Sequence, residues 1–149
     1  MARFVLLALA VTAFSAETPL RILFLGNSYT YYNNLPGLVE GMARRPVDVV
    51  SVTRGGATLE GLYIGVNALE VLRSSRWDLV VIQEHSALGR SQFNGDVLVN
   101  DPAAFFAWAR IWDAEIRAQG ARTVFLNTWA RKGRGAQQAH LDWAYATIA

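Results

Sequence analysis

Four clusters of polar and glycine residues, each following a short apolar run, hold the groups best suited to chemistry: Gly26-Asn27-Ser28-Tyr29-Thr30, Arg54-Gly55-Gly56-Ala57-Thr58, Gln83-Glu84-His85-Ser86 and Asn127-Thr128-Trp129. A serine placed where a strand gives way to a helical turn lies beside backbone N–H groups that can receive negative charge. Its hydroxyl is a weak nucleophile and needs a base. The glycine pair before Thr58 lets a second backbone N–H approach the same point, because glycine adopts geometries that a side chain forbids. Gln83 offers an amide donor beside them. Such a set is suited to acyl transfer, with Ser28 attacking a carbonyl and the donors holding the oxyanion. The plainer explanation is that strands end in turns, which favour Gly, Asn and Ser. The serine at the strand-to-helix turn tips the balance toward a site.

The elements that would position these clusters follow a βαβα order. Arg21–Leu25, Val47–Val52, Asp78–Ile82 and Arg122–Leu126 are short and rich in β-branched residues. Three are nearly continuous in apolar character, as expected of strands buried on both faces of a parallel sheet. Asp48 and Ser51 interrupt the second, which makes it the expected edge strand. Between the strands, Asn34 caps a helix carrying Leu35, Leu38, Val39 and Met42, and Thr58 caps one carrying Leu59, Leu62, Tyr63, Val66, Leu69 and Leu72. Asp101-Pro102 starts a third, with Phe105, Trp108, Trp112 and Ile116 inward until Gly120. A fourth begins near Ala136, with Ala139, Trp143 and Ala144 inward. Ser86–Asn100 is the longest irregular segment and reads as a surface loop. The expected fold is three-layer α/β/α around a parallel sheet of at least four strands. Ligands of such sheets bind beyond the carboxyl ends of the strands, where all four clusters fall.

Composition excludes several other classes. The 149 residues are 52% hydrophobic and 17% charged, with no cysteine and a net charge of +2. Disorder, a disulfide scaffold and thiolate chemistry are thereby excluded. No apolar run is long enough to span a bilayer, and the near-neutral charge gives no steering toward nucleic acid. Arg3, the apolar stretch Phe4–Phe14 and the small residues after it form the pattern of a cleaved secretory signal. We therefore expect residues 1–16 to be a leader, residues 17–149 to be one domain, and the protein to be secreted or periplasmic.

The clusters resemble the first three blocks of the SGNH (GDSL-type) hydrolases, and most closely a secreted branch in which GNS is followed by an aromatic residue and threonine. The resemblance runs from about Arg21 to the end of the chain and includes Thr128-Trp129-Ala130 after the fourth strand. It implies a flavodoxin-like α/β/α fold and an ester hydrolase needing no cofactor. Ser28 would be the nucleophile, with its own N–H and that of Gly56 as oxyanion donors. Asn27 stands where many relatives have aspartate, and Gln83 is the nearest equivalent of an asparagine amide. The Asp-x-x-His block that supplies the family's base occurs nowhere in these residues. The sequence therefore reads as a hydrolase domain incomplete at its C-terminal end, and the chain as written is expected to be inactive.

Neither histidine replaces that block convincingly. His85 follows the third strand at the correct edge, where it reads either as a base or, by preference, as a polar residue of the rim. His140 lies in the last helix. With no flanking ligand pattern, the pair makes no case for a metal. Around Ser28, Tyr29, Tyr31, Tyr32, Asn33 and Asn34 have the character of a sugar-binding surface, with Asn27 and Tyr29 nearest the serine, though helix packing explains them about as well. The expected partner is a small-molecule or glycan ester. The alternative is a non-catalytic flavodoxin-like module that holds a phosphate or sugar at the first-strand loop through Ser28, Thr30 and Asn33. Walker-type and dinucleotide fingerprints are absent.

Overall fold

The structure is a computed structural model that describes residues 17–88, 92–93, 96–97 and 102–149. The expected leader, residues 1–16, lies outside the described residues. The chain forms β1 (Leu20–Gly26), α1 (Ser28–Tyr31), α2 (Leu35–Met42), β2 (Val47–Thr53), α3 (Leu59–Gly65), α4 (Ala68–Ser74), β3 (Leu79–Ile82), β4 (Gln92–Phe93), β5 (Asp96–Val97), α5 (Ala103–Ala118), β6 (Arg122–Phe125) and α6 (Gln138–Ile148).

Four strands make one parallel sheet in the order β2-β1-β3-β6. From β1 the chain first moves one way to β2, then the other way through β3 to β6. Right-handed crossovers therefore send α2 to one face and α3, α4 and α5 to the other. The sheet reverses direction at β1, so the crevice beyond the carboxyl ends of β1 and β3 is where this architecture places a ligand. Register aligns those ends, with Gly26 opposite Thr53, Leu25 opposite Ile82, and Ile82 opposite Phe125. The four clusters consequently leave the sheet side by side.

β1 is buried on both faces through Ile22, Leu23, Phe24 and Leu25, as its unbroken apolar run requires. Leu23, Leu25, Val80 and Ile82 pack with Leu59, Leu62, Leu72, Phe105, Trp112 and Ile116 in the main core. β2 is an edge strand that exposes Asp48 and Ser51, as their polarity demanded. Helix starts follow the capping residues: Asn34 Oδ1 accepts from Gly37 N at 3.3 Å and Thr58 Oγ1 from Gly61 N at 3.0 Å.

Several expectations need correction. Thr58 does not open one long helix: α3 stops at Gly65, Val66 is extended, and α4 starts afresh at Ala68. The Arg54 guanidinium donates to the carbonyl oxygens of Gly61 at 3.1 Å and Gly65 at 3.2 Å, satisfying carbonyls at the end of α3. α6 turns Leu141, Ala144 and Tyr145 inward, while Ala139 and Trp143 face out. Ala139 and Trp143 each stand two residues from Leu141, roughly 200° around the helix. α2 buries only Pro36 and leaves Leu38 and Met42 exposed, because it packs on the edge strand. β6 is half exposed rather than buried on both faces, since it forms the other edge. Within Ser86–Asn100, the two short strands β4 and β5 pair antiparallel.

Candidate active site

The nucleophile turn is built by two buried amides. Asn27, 2% exposed, caps α1: its Oδ1 accepts from Tyr29 N at 3.1 Å and its Nδ2 donates to Ala57 O at 2.9 Å. A second bond, from Arg54 N to Gly26 O at 3.2 Å, joins the same two strand exits. The oxyanion loop after β2 is thus fastened to the serine turn after β1. Gly56 adopts φ +66°, the left-handed region that favours glycine, inside a turn closed by Ala57 N donating to Arg54 O at 3.0 Å.

Ser28 is half-buried at the first position of α1. Its hydroxyl makes no hydrogen bond to any described residue, and neither do the backbone N–H groups of Ser28 and Gly56. The structure thereby brings a free hydroxyl and two free backbone donors to one end of the sheet, the components that stabilising an acyl-transfer oxyanion requires.

Gln83 is fully buried and braces this turn from below. Its Oε1 accepts from Asn27 N at 3.1 Å and Thr30 Oγ1 at 2.8 Å, and its Nε2 donates to Glu84 O at 2.6 Å. The amide expected to face an oxyanion is engaged with backbone and with Thr30. Asn27, expected to touch substrate, is likewise committed to Tyr29 and Ala57. Tyr29 stays at the surface of the site, stacked on Trp129 with ring centroids 4.4 Å apart and planes 8° from parallel.

His85 Nδ1 accepts from Ala87 N at 3.2 Å, which puts the proton of a neutral ring on Nε2. That is the reverse of the tautomer a serine base uses, where Nδ1 carries the proton and Nε2 receives. His140 stacks on Trp143, with centroids 5.4 Å apart.

Glu84, Tyr145, Gln138 and Asp142 have no role in the sequence reading, and Thr30 has one only in the alternative ligand loop. Glu84 is buried between two N–H donors, Leu59 N at 2.9 Å and His85 N at 2.6 Å. Burial pushes its carboxyl up to about 7, against the pull of those two bonds, and Glu60 adds to the rise. Glu84 N donates to Tyr145 Oη at 3.1 Å, and burial holds the Tyr145 phenol far above its ordinary range. An acid in the run Leu79–Ser86, which is otherwise apolar or neutral, was the available signal. Thr30, Gln138 and Asp142 carried none, because each works through partners distant in sequence.

A groove of about 220 Å³ is lined by Ser28, Tyr29, Tyr32, Asn33 and Trp129. A second groove, of about 260 Å³, runs between α5 and β6 past Arg110, Asp113, Thr123 and Ile148. The first contains Ser28 and the second does not; Gly56 lines neither.

No protein-family model and no curated protein sequence matches the chain. Solved structures do. TesA superposes with a TM-score of 0.63 at 18% identity, over 87% of this chain and 72% of TesA. A variant of Axe2, an acetyl xylan esterase from Geobacillus stearothermophilus, superposes with a TM-score of 0.55 at 15% identity, over 86% of this chain and 69% of that one. At such identities the likeness is one of fold, and it agrees with the sheet order and flanking helices described above. The chain shares the α/β fold of these two proteins, a parallel four-stranded sheet with flanking helices.

Proposed function

We propose that the protein is an exported serine ester hydrolase acting on a small-molecule or glycan ester, with Ser28 as nucleophile. The observation that carries this reading is the Ser28 hydroxyl, without a hydrogen-bond partner among the described residues, on a turn that Asn27 fastens to the loop carrying Gly56. Ser28 Oγ attacks the ester carbonyl carbon, and the carbonyl oxygen takes negative charge opposite the two donors. The carbon–oxygen bond to the alcohol breaks, the alcohol leaves with the serine proton, and water releases the acid from the acyl-serine. Gln83 and Asn27 serve as braces of the turn. The fold shared with an acetyl xylan esterase is consistent with an acylated carbohydrate as substrate. Export rests on the apolar leader pattern of residues 1–16.

No base for Ser28 is assigned among the described residues. These residues contain no Asp-x-x-His, and His85 Nδ1 is engaged as the acceptor of Ala87 N. The reading therefore assigns acylation without efficient turnover to the chain as it stands. The test uses p-nitrophenyl acetate at mildly alkaline pH, where hydroxide substitutes for a base. We expect release of at most one equivalent of nitrophenol per chain, lost in Ser28→Ala. No release from folded protein overturns the nucleophile. Sustained turnover lost in Ser28→Ala overturns the assigned lack of a base.

A further inference from the structure

The geometry points to Trp129 as the platform of a subsite for an uncharged sugar ring, held in place by Gln138. This deepens the esterase reading and rests on it for the identity of the neighbouring reaction. Trp129 remains 52% exposed although Tyr29 is stacked against it, and Tyr32 across the groove is 81% exposed. A single exposed aromatic is ordinary, but two, Trp129 and Tyr32, sharing one groove with the half-buried Tyr29 ring mark a binding surface.

The platform is built rather than incidental. A single side chain, Gln138, bonds the backbone on both sides of Trp129: its Oε1 accepts from Ala130 N at 2.7 Å and its Nε2 donates to Thr128 O at 3.3 Å. The same Nε2 donates to Asp142 Oδ1 at 2.8 Å, which also accepts from Asn127 Nδ2 at 2.7 Å. These two bonds hold the Asp142 carboxyl below its ordinary range, so it stays ionised and keeps both donors. The loop Asn127–Ala130 is thereby fixed to α6 before any ligand arrives, which lowers the ordering cost of binding.

The lining chooses the ligand class. Ser28, Tyr29, Tyr32, Asn33 and Trp129 present aromatic faces, hydroxyls and one amide, with no ionised group among them. Such a set stacks on the C–H face of a pyranose and hydrogen-bonds its hydroxyls, and it has no cationic side chain to pair with a carboxylate or phosphate. A volume of about 220 Å³ suits about one sugar ring. The sugar is then the alcohol part of the ester, with the acyl carbon at Ser28.

The test is isothermal titration of the 149-residue chain with neutral xylo-, cello-, manno- and chito-tetraoses and with tetragalacturonate. We expect saturable binding of at least one neutral oligosaccharide in preference to tetragalacturonate. Trp129→Ala should weaken it roughly tenfold or more, Trp129→Phe should restore most of it, and Trp143→Ala, on the exposed face of α6, should leave it unchanged. Gln138→Ala should weaken binding, and Gln138→Glu, which loses the donors to Thr128 and Asp142 and sets a carboxylate against that of Asp142, should weaken it at least as much. Binding by none of the neutral sugars, equal binding by folded Trp129→Ala, or tighter binding of tetragalacturonate overturns the assignment. Acylation of Ser28 is read separately on the wild type, so a chain that acylates without binding sugar refutes this inference alone, and one that binds sugar without acylating refutes the esterase reading alone.

Discussion

Asn27 Nδ2 donates to Ala57 O across 2.9 Å, while Oδ1 of the same side chain accepts from Tyr29 N at 3.1 Å. One amide thus performs two tasks: it caps the helical turn that begins at Ser28, and it holds the glycine loop after β2 against that turn. A carboxylate could do only the first, since it has no proton for Ala57 O.

Asn27→Ala should therefore cost about 1–2 kcal/mol of stability, the usual loss for a cap and a buried hydrogen bond. It should also slow acylation of Ser28. Asn27→Asp should retain most of the cap yet slow acylation as well. Urea unfolding with p-nitrophenol burst amplitudes checks both, and acylation of Asn27→Asp at the wild-type rate would show that the link to Ala57 is idle.

Gln83→Leu keeps the volume but strands Asn27 N, Thr30 Oγ1 and Glu84 O, all buried. The expected loss is about 3 kcal/mol. Thr30→Val, which removes one bond of the set, should lose about 1 kcal/mol. A near-neutral Gln83→Leu in denaturant titration would mean that the brace is dispensable.

Two glycines at the site should fail for different reasons. At Gly26 an added Cβ would lie 2.8 Å from Gln83 Oε1, with Thr30 closer still, so Gly26→Ala disrupts the brace by overlap. At Gly56 nothing lies within 4 Å, but φ is +66°, so Gly56→Ala should cost only about 1–2 kcal/mol, through conformation. Thermal melts should rank Gly26→Ala well below Gly56→Ala, and the reverse order would contradict the geometry of the turn.

Glu84 gives stability a pH dependence of defined sign. Its carboxyl moves from an ordinary 4.5 to about 7 on folding, so the folded state binds the proton more tightly. Its contribution is full below about 4.5 and is lost as pH rises to about 7. The expected amplitude is about 3 kcal/mol. Measured as wild type minus Glu84→Gln, the unfolding free energy should fall across that window. A flat difference would remove Glu84 as its source.

The sheet was legible because its signals are local. Unbroken apolar runs marked the central strands, Asp48 and Ser51 marked the edge, and Asn34 and Thr58 marked helix starts. That Ser28 and the Gly55-Gly56 pair stand at the exits of adjacent strands was legible from position, while their roles came from the family resemblance. The rest depends on contacts made through space. Nothing around residue 83 says that its amide will turn back to Asn27 and Thr30, and nothing around residue 138 says that it will bracket Trp129. The phase of α6 was misread because Trp143 is the largest apolar group in that helix, while the core took the stripe Leu141, Ala144 and Tyr145. Likewise Gly65 and the Arg54 guanidinium, eleven residues apart, end α3 together.

The central claim is that Ser28 is an acyl-accepting nucleophile, and mass-spectrometric mapping of a fluorophosphonate adduct tests it most directly. The label reports the serine and its oxyanion donors without requiring turnover. We predict an adduct on Ser28 in the folded wild type at mildly alkaline pH, slower formation in Gly56→Ala, and none in Ser28→Ala. A folded protein that takes no label, or takes it only at another residue, would contradict the account.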